Sequence, residues 1–223
     1  LKRGLPEPEY SWASSAARKL MISASAYVAI VMPVNTKIYD QKFFDNTFKF
    51  EAESAQAFVD ILNKHFAPRS VIDIGCGSGI YLAEFAKNKI SVLGYDGSPA
   101  AIAGSLVGAN IKLHDLCQPL ILNQSFDLCL CLEVAEHLEE TCADTLVETL
   151  TGLSSTIIFT AATPGQGPVS IGHINEQPYE YWQEKFKNRN FILNTALTEK
   201  IKKEMAEQKI VWWLTKNLMI YEK

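Results

Sequence analysis

The stretch Val71–Ile80, VIDIGCGSGI, places three glycines at alternate positions directly after a short apolar run. Val71–Ile74 has the length and composition of a buried strand, and Ile80 to Lys87 carries Leu82, Phe85 and Ala86 at helical spacing. A strand, a glycine turn and a helix in that order form the opening unit of a parallel α/β sheet. Glycines packed this closely at a strand end let a ligand approach the backbone, so the turn is also a candidate binding element.

The rest of the chain repeats the alternation. A helix is predicted from Glu51 to Phe66 (Phe58, Ile61, Leu62 and Phe66 on one face), stopped by Pro68. After the glycine turn come strand Ser91–Tyr95, helix Pro99–Val107, strands Ile111–His114 and Phe126–Leu132, helix Glu139–Leu150 and strand Thr156–Thr160. Beyond Pro164 a Gly/Pro/Ser loop leads to helix Tyr179–Lys187, strand Phe191–Asn194, a charged helix Thr198–Gln208 and a last strand Leu218–Glu222. That final strand has no long crossover helix before it and can enter the sheet antiparallel. At 223 residues and 48% hydrophobic, the chain can bury one substantial core.

Residues 1–31 read differently. They contain Pro6, Pro8 and a small-residue stretch, and the apolar run Leu20–Val34 is too short for a bilayer core of ~30 Å. Arg18 and Lys19 before that run raise the alternative of a secretory signal. The preferred reading is a poorly ordered N-terminal extension, with Met32 a candidate functional start and residues 32–223 as the domain. The net charge of -4 lacks the basic footprint of a nucleic-acid binder. Five cysteines (Cys76, Cys117, Cys129, Cys131 and Cys142) form no C-x-x-C pair, and an odd count suits a reducing, cytoplasmic compartment with all five as small buried side chains.

The ligand can be narrowed. A dinucleotide fingerprint needs its third glycine at position 80, which is Ile80, and Asp73 in the strand would repel a pyrophosphate while attracting a sulfonium or ammonium cation. Acidic residues also close the next three strands: Asp96 in VLGYDGSP, Asp115 in KLHDL and Glu133 in DLCLCLEVAEHL. Asp96 and Asp115 are equally readable as turn or helix-cap residues. Their succession at the ligand edge of an open sheet favours a binding role.

VIDIGCGSG, VLGYDG, KLHDL and FDLCLCLEVAEHL together resemble the successive cofactor motifs of class I S-adenosylmethionine-dependent methyltransferases, from about Tyr39 to the C-terminus. The segments FTAATPGQG, GHINEQPYEYW and VWWLTKNLMIYEK resemble a narrower bacterial group within that superfamily. The resemblance implies a Rossmann-like α/β fold: a seven-stranded, mostly parallel sheet with an antiparallel last strand and helices on both faces. It implies S-adenosylmethionine as cofactor. Asp73 and the backbone of Gly75, Cys76, Gly77 and Gly79 would hold the methionine portion, and Asp96 the ribose. Gly97, Ser98, His114, Asp115 and Leu116 would lie by the adenine, and Leu132 and Glu133 would close the methionine side. Tyr95 stands where the family usually has a small aliphatic residue.

Methyl transfer to oxygen requires the acceptor to lose a proton, and histidine is the natural base. His137 and His173 fall in loops at the ligand edge, and each is equally readable as a structural residue. Glu176 and Gln177 could orient His173 or bind acceptor hydroxyls; Tyr179, Tyr181 and Trp182 are candidate pocket aromatics, although helical spacing favours the core for Trp182. His65 reads as a helix-end residue, the Lys200–Lys209 run as a solvated face, and Trp212 and Trp213 as core or as a roof over the acceptor. No ligand spacing such as H-x-x-x-H predicts a metal site. The leading expectation is a methyltransferase acting at oxygen on a small-molecule or glycan-precursor acceptor, as monomer or homodimer. The alternatives are a nicotinamide-dependent oxidoreductase and a non-catalytic S-adenosylmethionine-binding protein.

Overall fold

A computed structural model describes residues 35, 37–166 and 171–223, so the proposed extension and the boundary at 31/32 lie outside the described residues. Helix α1 runs Gln41–Phe66, ten residues longer at its N-terminus than periodicity predicts. Its start is set by Asp40, whose carboxylate accepts the N–H of Phe43 at 2.9 Å. Its end is set by Ala67 in the left-handed region, φ 42°, ahead of Pro68. The first turns escaped the periodic pattern because Phe48 and Phe50 stay exposed instead of marking a core-facing stripe.

Strands β1 (Ser70–Ile74), β2 (Ser91–Asp96), β3 (Ile111–Leu113), β4 (Leu128–Leu132), β5 (Thr156–Thr160), β6 (Ile192–Leu193) and β7 (Met219–Glu222) form one sheet in the order β3-β2-β1-β4-β5-β7-β6. The first five pair in parallel, and β7 runs antiparallel to both β5 and β6. The predicted seven-stranded sheet with its reversed last strand is therefore the observed one.

Both faces are covered, which is why the central strands read as continuous apolar runs. Ile72, Ile74, Cys129, Cys131 and Phe159 pack with α4 (Ala143–Leu153) and α5 (Tyr179–Lys187) on one face. Val71, Leu128, Leu130, Ile158 and Ile220 pack on the other with α1, α2 (Ile80–Lys87) and α6 (Thr195–Glu207).

Three local expectations need correction. The helix predicted over Pro99–Val107 is a one-turn α3 (Pro99–Ala103), with a 3₁₀ turn at Gly108–Asn110, because Gly104 and Ser105 end the helix early. Trp212–Asn217 forms a short helix α7, to which the sequence reading assigned no element. The five cysteines are not all free: Cys117 and Cys142 are joined, with Cα atoms 4.8 Å apart, while Cys76, Cys129 and Cys131 are free and buried. Spacing gave no hint of that bond, since its partners lie in the loop after β3 and in the 3₁₀ turn before α4. Among the described residues no helix is long and apolar enough to cross a membrane.

Candidate functional site

The glycine turn after β1 is built around left-handed backbone. Gly75 has φ 82°, and a Cβ there would collide with the side chain of Val134; at Gly79, also φ 82°, a Cβ would stand 2.7 Å from Ile111 Cδ1. Neither position tolerates a side chain without displacement. The turn is fastened to β2, since the N–H groups of Gly75 and Cys76 donate to the Tyr95 carbonyl at 2.7 and 3.2 Å. Asp96 completes the fastening: Oδ2 accepts the N–H of Gly77 and Oδ1 that of Ser98, both at 2.8 Å. A carboxylate has about four acceptor sites, so these two bonds leave capacity for a ligand's hydroxyls.

Above the turn lies a cavity of about 340 Å³ lined by Gly75, Cys76, Gly77, Asp96, Leu132, Glu133, His137 and His173, with Glu51 and Tyr81 on its far side. Its volume is within the range of small-ligand pockets. The surroundings are strongly acidic. Asp73 is buried beneath the turn with Oδ1 unpartnered. Burial first, then the charges of Asp96 and Glu51, push it up to about 7. Glu51, accepting a bond from Tyr81 Oη at 2.9 Å, is likewise pushed up to about 7 by burial. Burial also raises Asp96, against the pull of the Ser98, Gly77 and Gly97 N–H groups. Crowded, desolvated carboxylates of one sign favour a cationic ligand and disfavour a pyrophosphate.

The same cavity is lined by two histidines. A 3₁₀ turn at Ala135–His137 follows β4, and its Glu136 carbonyl accepts the N–H groups of Ile174 and Asn175 at 2.9 and 3.0 Å. Those bonds pin the 171–175 loop and bring the His173 ring against His137, centroids 4.8 Å apart. His173 Nδ1 bonds Glu176 Oε1 at 2.7 Å; His137 Nδ1 bonds Tyr39 Oη at 2.9 Å. Burial, then the neighbouring His173, depresses His137 to about 4, so its ring is neutral near pH 7. Glu136 is fully enclosed and held well above the carboxylate range by burial and by Glu133. Glu133 itself, raised by burial, bonds Asn217 Nδ2 at 3.0 and 3.2 Å.

Other predicted residues sit elsewhere. Ser98 caps α3 and donates to the Tyr39 carbonyl at 2.7 Å. Asp115 Oδ1 accepts the Cys117 N–H at 2.9 Å, a turn bond, and His114 Nε2 bonds the Gln118 carbonyl at 3.0 Å; with the buried Leu116 they lie beyond the cavity lining, at the end of β3. Gln177 bonds Asn175 Oδ1 at 2.8 Å, and Glu176 turns its second oxygen to the Gly165 N–H. Trp182 and Tyr181 are not brought to the cavity. Trp182 is core, 1% exposed and packed on Phe159, because its helical register points it at the sheet; Tyr181 lies outside under Lys185. The Trp182 Nε1 has no partner, so Trp182→Phe should lose volume but also remove a buried unpaired donor. We expect a stability change within about 1 kcal/mol, read by thermal melting, and unchanged ligand binding.

Sequence reading missed Glu51, Tyr81, Tyr39 and the lining aromatics Phe43, Phe44, Phe48 and Phe50, whereas Trp212 and Trp213, readable as core or as a roof, do line the cavity. The available signal was Glu51, an acid buried in a helix whose other buried residues are apolar apart from Ser54.

Residues 48–153 match the model of a family described as a methyltransferase domain. Over 84 residues, 34% of this chain and 31% of the relative, the sequence is 32% identical to the mitochondrial ubiquinone biosynthesis O-methyltransferase of Schizosaccharomyces pombe. Over 91 residues, 36% of this chain and 37% of the relative, it is 34% identical to mouse EEF1A lysine methyltransferase 2. The matched stretches thus span about a third of these relatives' lengths. A solved S-adenosylmethionine-dependent methyltransferase from Archaeoglobus fulgidus superposes with a TM-score of 0.58 over 81% of this chain and 99% of that one, at 18% identity. Residues 48–153 are therefore similar to a methyltransferase domain, and the chain has the Rossmann-like α/β fold of that solved methyltransferase.

Proposed function

We propose that the chain is an S-adenosylmethionine-dependent methyltransferase whose acceptor, a small molecule or glycan precursor, is methylated at oxygen. The observation that carries the cofactor reading is a cavity lined by Glu51, Asp96 and Glu133 at a glycine turn that has no room for side chains, with Asp73 Oδ1 buried and unpartnered in β1 outside that lining. That arrangement fits a ligand with cationic sulfonium and ammonium groups and hydroxyls for Asp96. It does not suit the pyrophosphate of a nicotinamide cofactor.

Asp73 and the Gly75–Gly79 turn would hold the methionine end, Asp96 the ribose, and Gly97, Ser98, His114, Asp115 and Leu116 the adenine side. Bound there, S-adenosylmethionine supplies an electrophilic methyl group. The chain's own task is alignment and preparation of the acceptor. Leu132 and Glu133 close the methionine side, and His137 and His173 stand where an acceptor hydroxyl must be readied. The relatives differ in acceptor, one named for oxygen and one for lysine, so the preference for oxygen rests on the paired histidines.

Incubation with a methyl-labelled donor and a panel of hydroxylated and amine acceptors tests this reading. Label on an oxygen acceptor is expected; label on amines alone would overturn the oxygen assignment, and cofactor binding without turnover on any acceptor would favour a non-catalytic binder.

A further expectation concerns Asp73. Its folded value of about 7 lies above the ordinary 3.8, so the folded protein holds this proton more tightly than the unfolded chain. That stabilising difference is complete at low pH and is lost as pH rises through about 7. Asp73→Asn should therefore raise the melting temperature of the ligand-free protein at pH 8 while weakening S-adenosylmethionine about tenfold or more. A lower melting temperature at pH 8 would show that the charged carboxylate is not the strained group.

A further inference from the structure

Glu136, His137 and His173 each offer one ligand atom, and those atoms lie within 4.8 Å of one another. Sequence spacing missed the group because Glu136 and His137 are adjacent on the turn after β4, whereas His173 arrives from the loop beyond β5. We propose that these three side chains form a divalent transition-metal site on the acceptor wall of the cavity.

Three observations carry this inference. The first is Glu136 itself. Its Oε1 accepts the Ala162 N–H at 3.1 Å, while the enclosed Oε2 has no N–H or hydroxyl donor and the carboxyl group is left facing the equally acidic Glu133. A buried carboxylate oxygen left without a donor is costly unless a cation or a proton completes it.

The second is the orientation of the imidazoles. His173 turns Nδ1 to the carboxylate of Glu176, the outer partner that typically fixes a metal-ligating histidine, and leaves Nε2 free. His137 turns Nδ1 to Tyr39 Oη, and Tyr39 Oη donates to the Gly172 carbonyl at 3.4 Å. A carbonyl only accepts, so with the tyrosine proton on Gly172 the matching His137 tautomer carries its proton on Nδ1. Both rings then present an Nε2 lone pair.

The third is location: His137 and His173 line the cavity, so coordination positions left open by three protein ligands would face the acceptor. Two imidazoles and one carboxylate suit zinc, manganese, iron or cobalt better than magnesium or calcium, which prefer all-oxygen sites.

This inference rests on the methyltransferase reading for its role. A positive charge on that wall would favour the ionised form of an acceptor hydroxyl, whose proton passes to water. The histidines would then act on the acceptor through the cation and not as proton acceptors.

The test uses the full chain, stripped with chelator and titrated with Co²⁺ under optical absorption and with Zn²⁺ by calorimetry, and separately with S-adenosylmethionine. One Co²⁺ per chain, displaced by Zn²⁺, is expected. Glu136→Gln and His173→Asn should each weaken Co²⁺ at least tenfold while keeping the wild-type circular dichroism spectrum. His173 is partly exposed, so His173→Asn keeps the test decisive if the buried Glu136→Gln fails to fold. Absence of stoichiometric metal binding in folded protein that still binds S-adenosylmethionine would overturn the metal site alone. Metal binding unaffected by His173→Asn would place the ion elsewhere and also overturn it. Failure to bind S-adenosylmethionine, with metal bound as expected, would instead overturn the methyltransferase reading.

Discussion

His173→Ala is expected to lower methyl transfer by ~10²-fold or more while leaving S-adenosylmethionine affinity near the wild-type value. The asymmetry follows from placement. His173 lines the cavity from the loop beyond β5, held by Glu176 at 2.7 Å and edge-on against His137, whereas the proposed cofactor contacts come from the ends of β1 and β2. Removing the ring empties the acceptor side without touching Asp96 or the turn. Single-turnover formation of S-adenosylhomocysteine separates the two quantities. Wild-type turnover in the folded variant would remove His173 from the reaction, and His137→Ala abolishing turnover in the same assay would exchange their roles.

Asp96→Ala is expected to weaken S-adenosylmethionine by about one to two decades, since hydrogen bonds to a charged acceptor are worth roughly 1.5–3 kcal/mol. Two losses combine there. The ribose hydroxyls lose their acceptor, and the N–H groups of Gly77 and Ser98 lose the carboxylate that joins the glycine turn to the end of β2. Asp96→Asn separates them. Its remaining carbonyl oxygen can accept one of these N–H groups, so it should bind more tightly than the alanine variant. Unchanged affinity in folded Asp96→Ala would make this residue a turn element and nothing more.

The parts of the fold legible in the sequence are those where local and tertiary demands agree. Ile80–Lys87, Tyr179–Lys187 and Thr156–Thr160 have the predicted bounds because glycine, proline or a change in hydrophobic period marks both ends of each. Of the strand-end acids, Asp96 and Glu133 reach the cavity because a parallel sheet aligns the ends of its strands, whereas Asp115 closes a turn on the Cys117 N–H. What escaped detection depends on contacts distant in sequence. Tyr39 acquires meaning only when the loop of Gly172 is laid against it, and Glu51 only when Tyr81 closes on it. Trp182, named as a pocket candidate although its helical spacing favoured the core, is in the core against Phe159. Phe48 and Phe50 were illegible because an exposed aromatic lining a cavity carries no periodic signature.

The measurement closest to the central claim is calorimetric titration of the folded, full-length chain with S-adenosylmethionine and, in parallel, with NAD⁺. The carboxylate-lined cavity above the Gly75–Gly79 turn predicts saturable binding of S-adenosylmethionine at one site per chain, abolished or strongly weakened by Asp96→Ala, and no saturable binding of NAD⁺. No heat or displacement with S-adenosylmethionine up to millimolar concentration, or saturable NAD⁺ binding in its place, would contradict it.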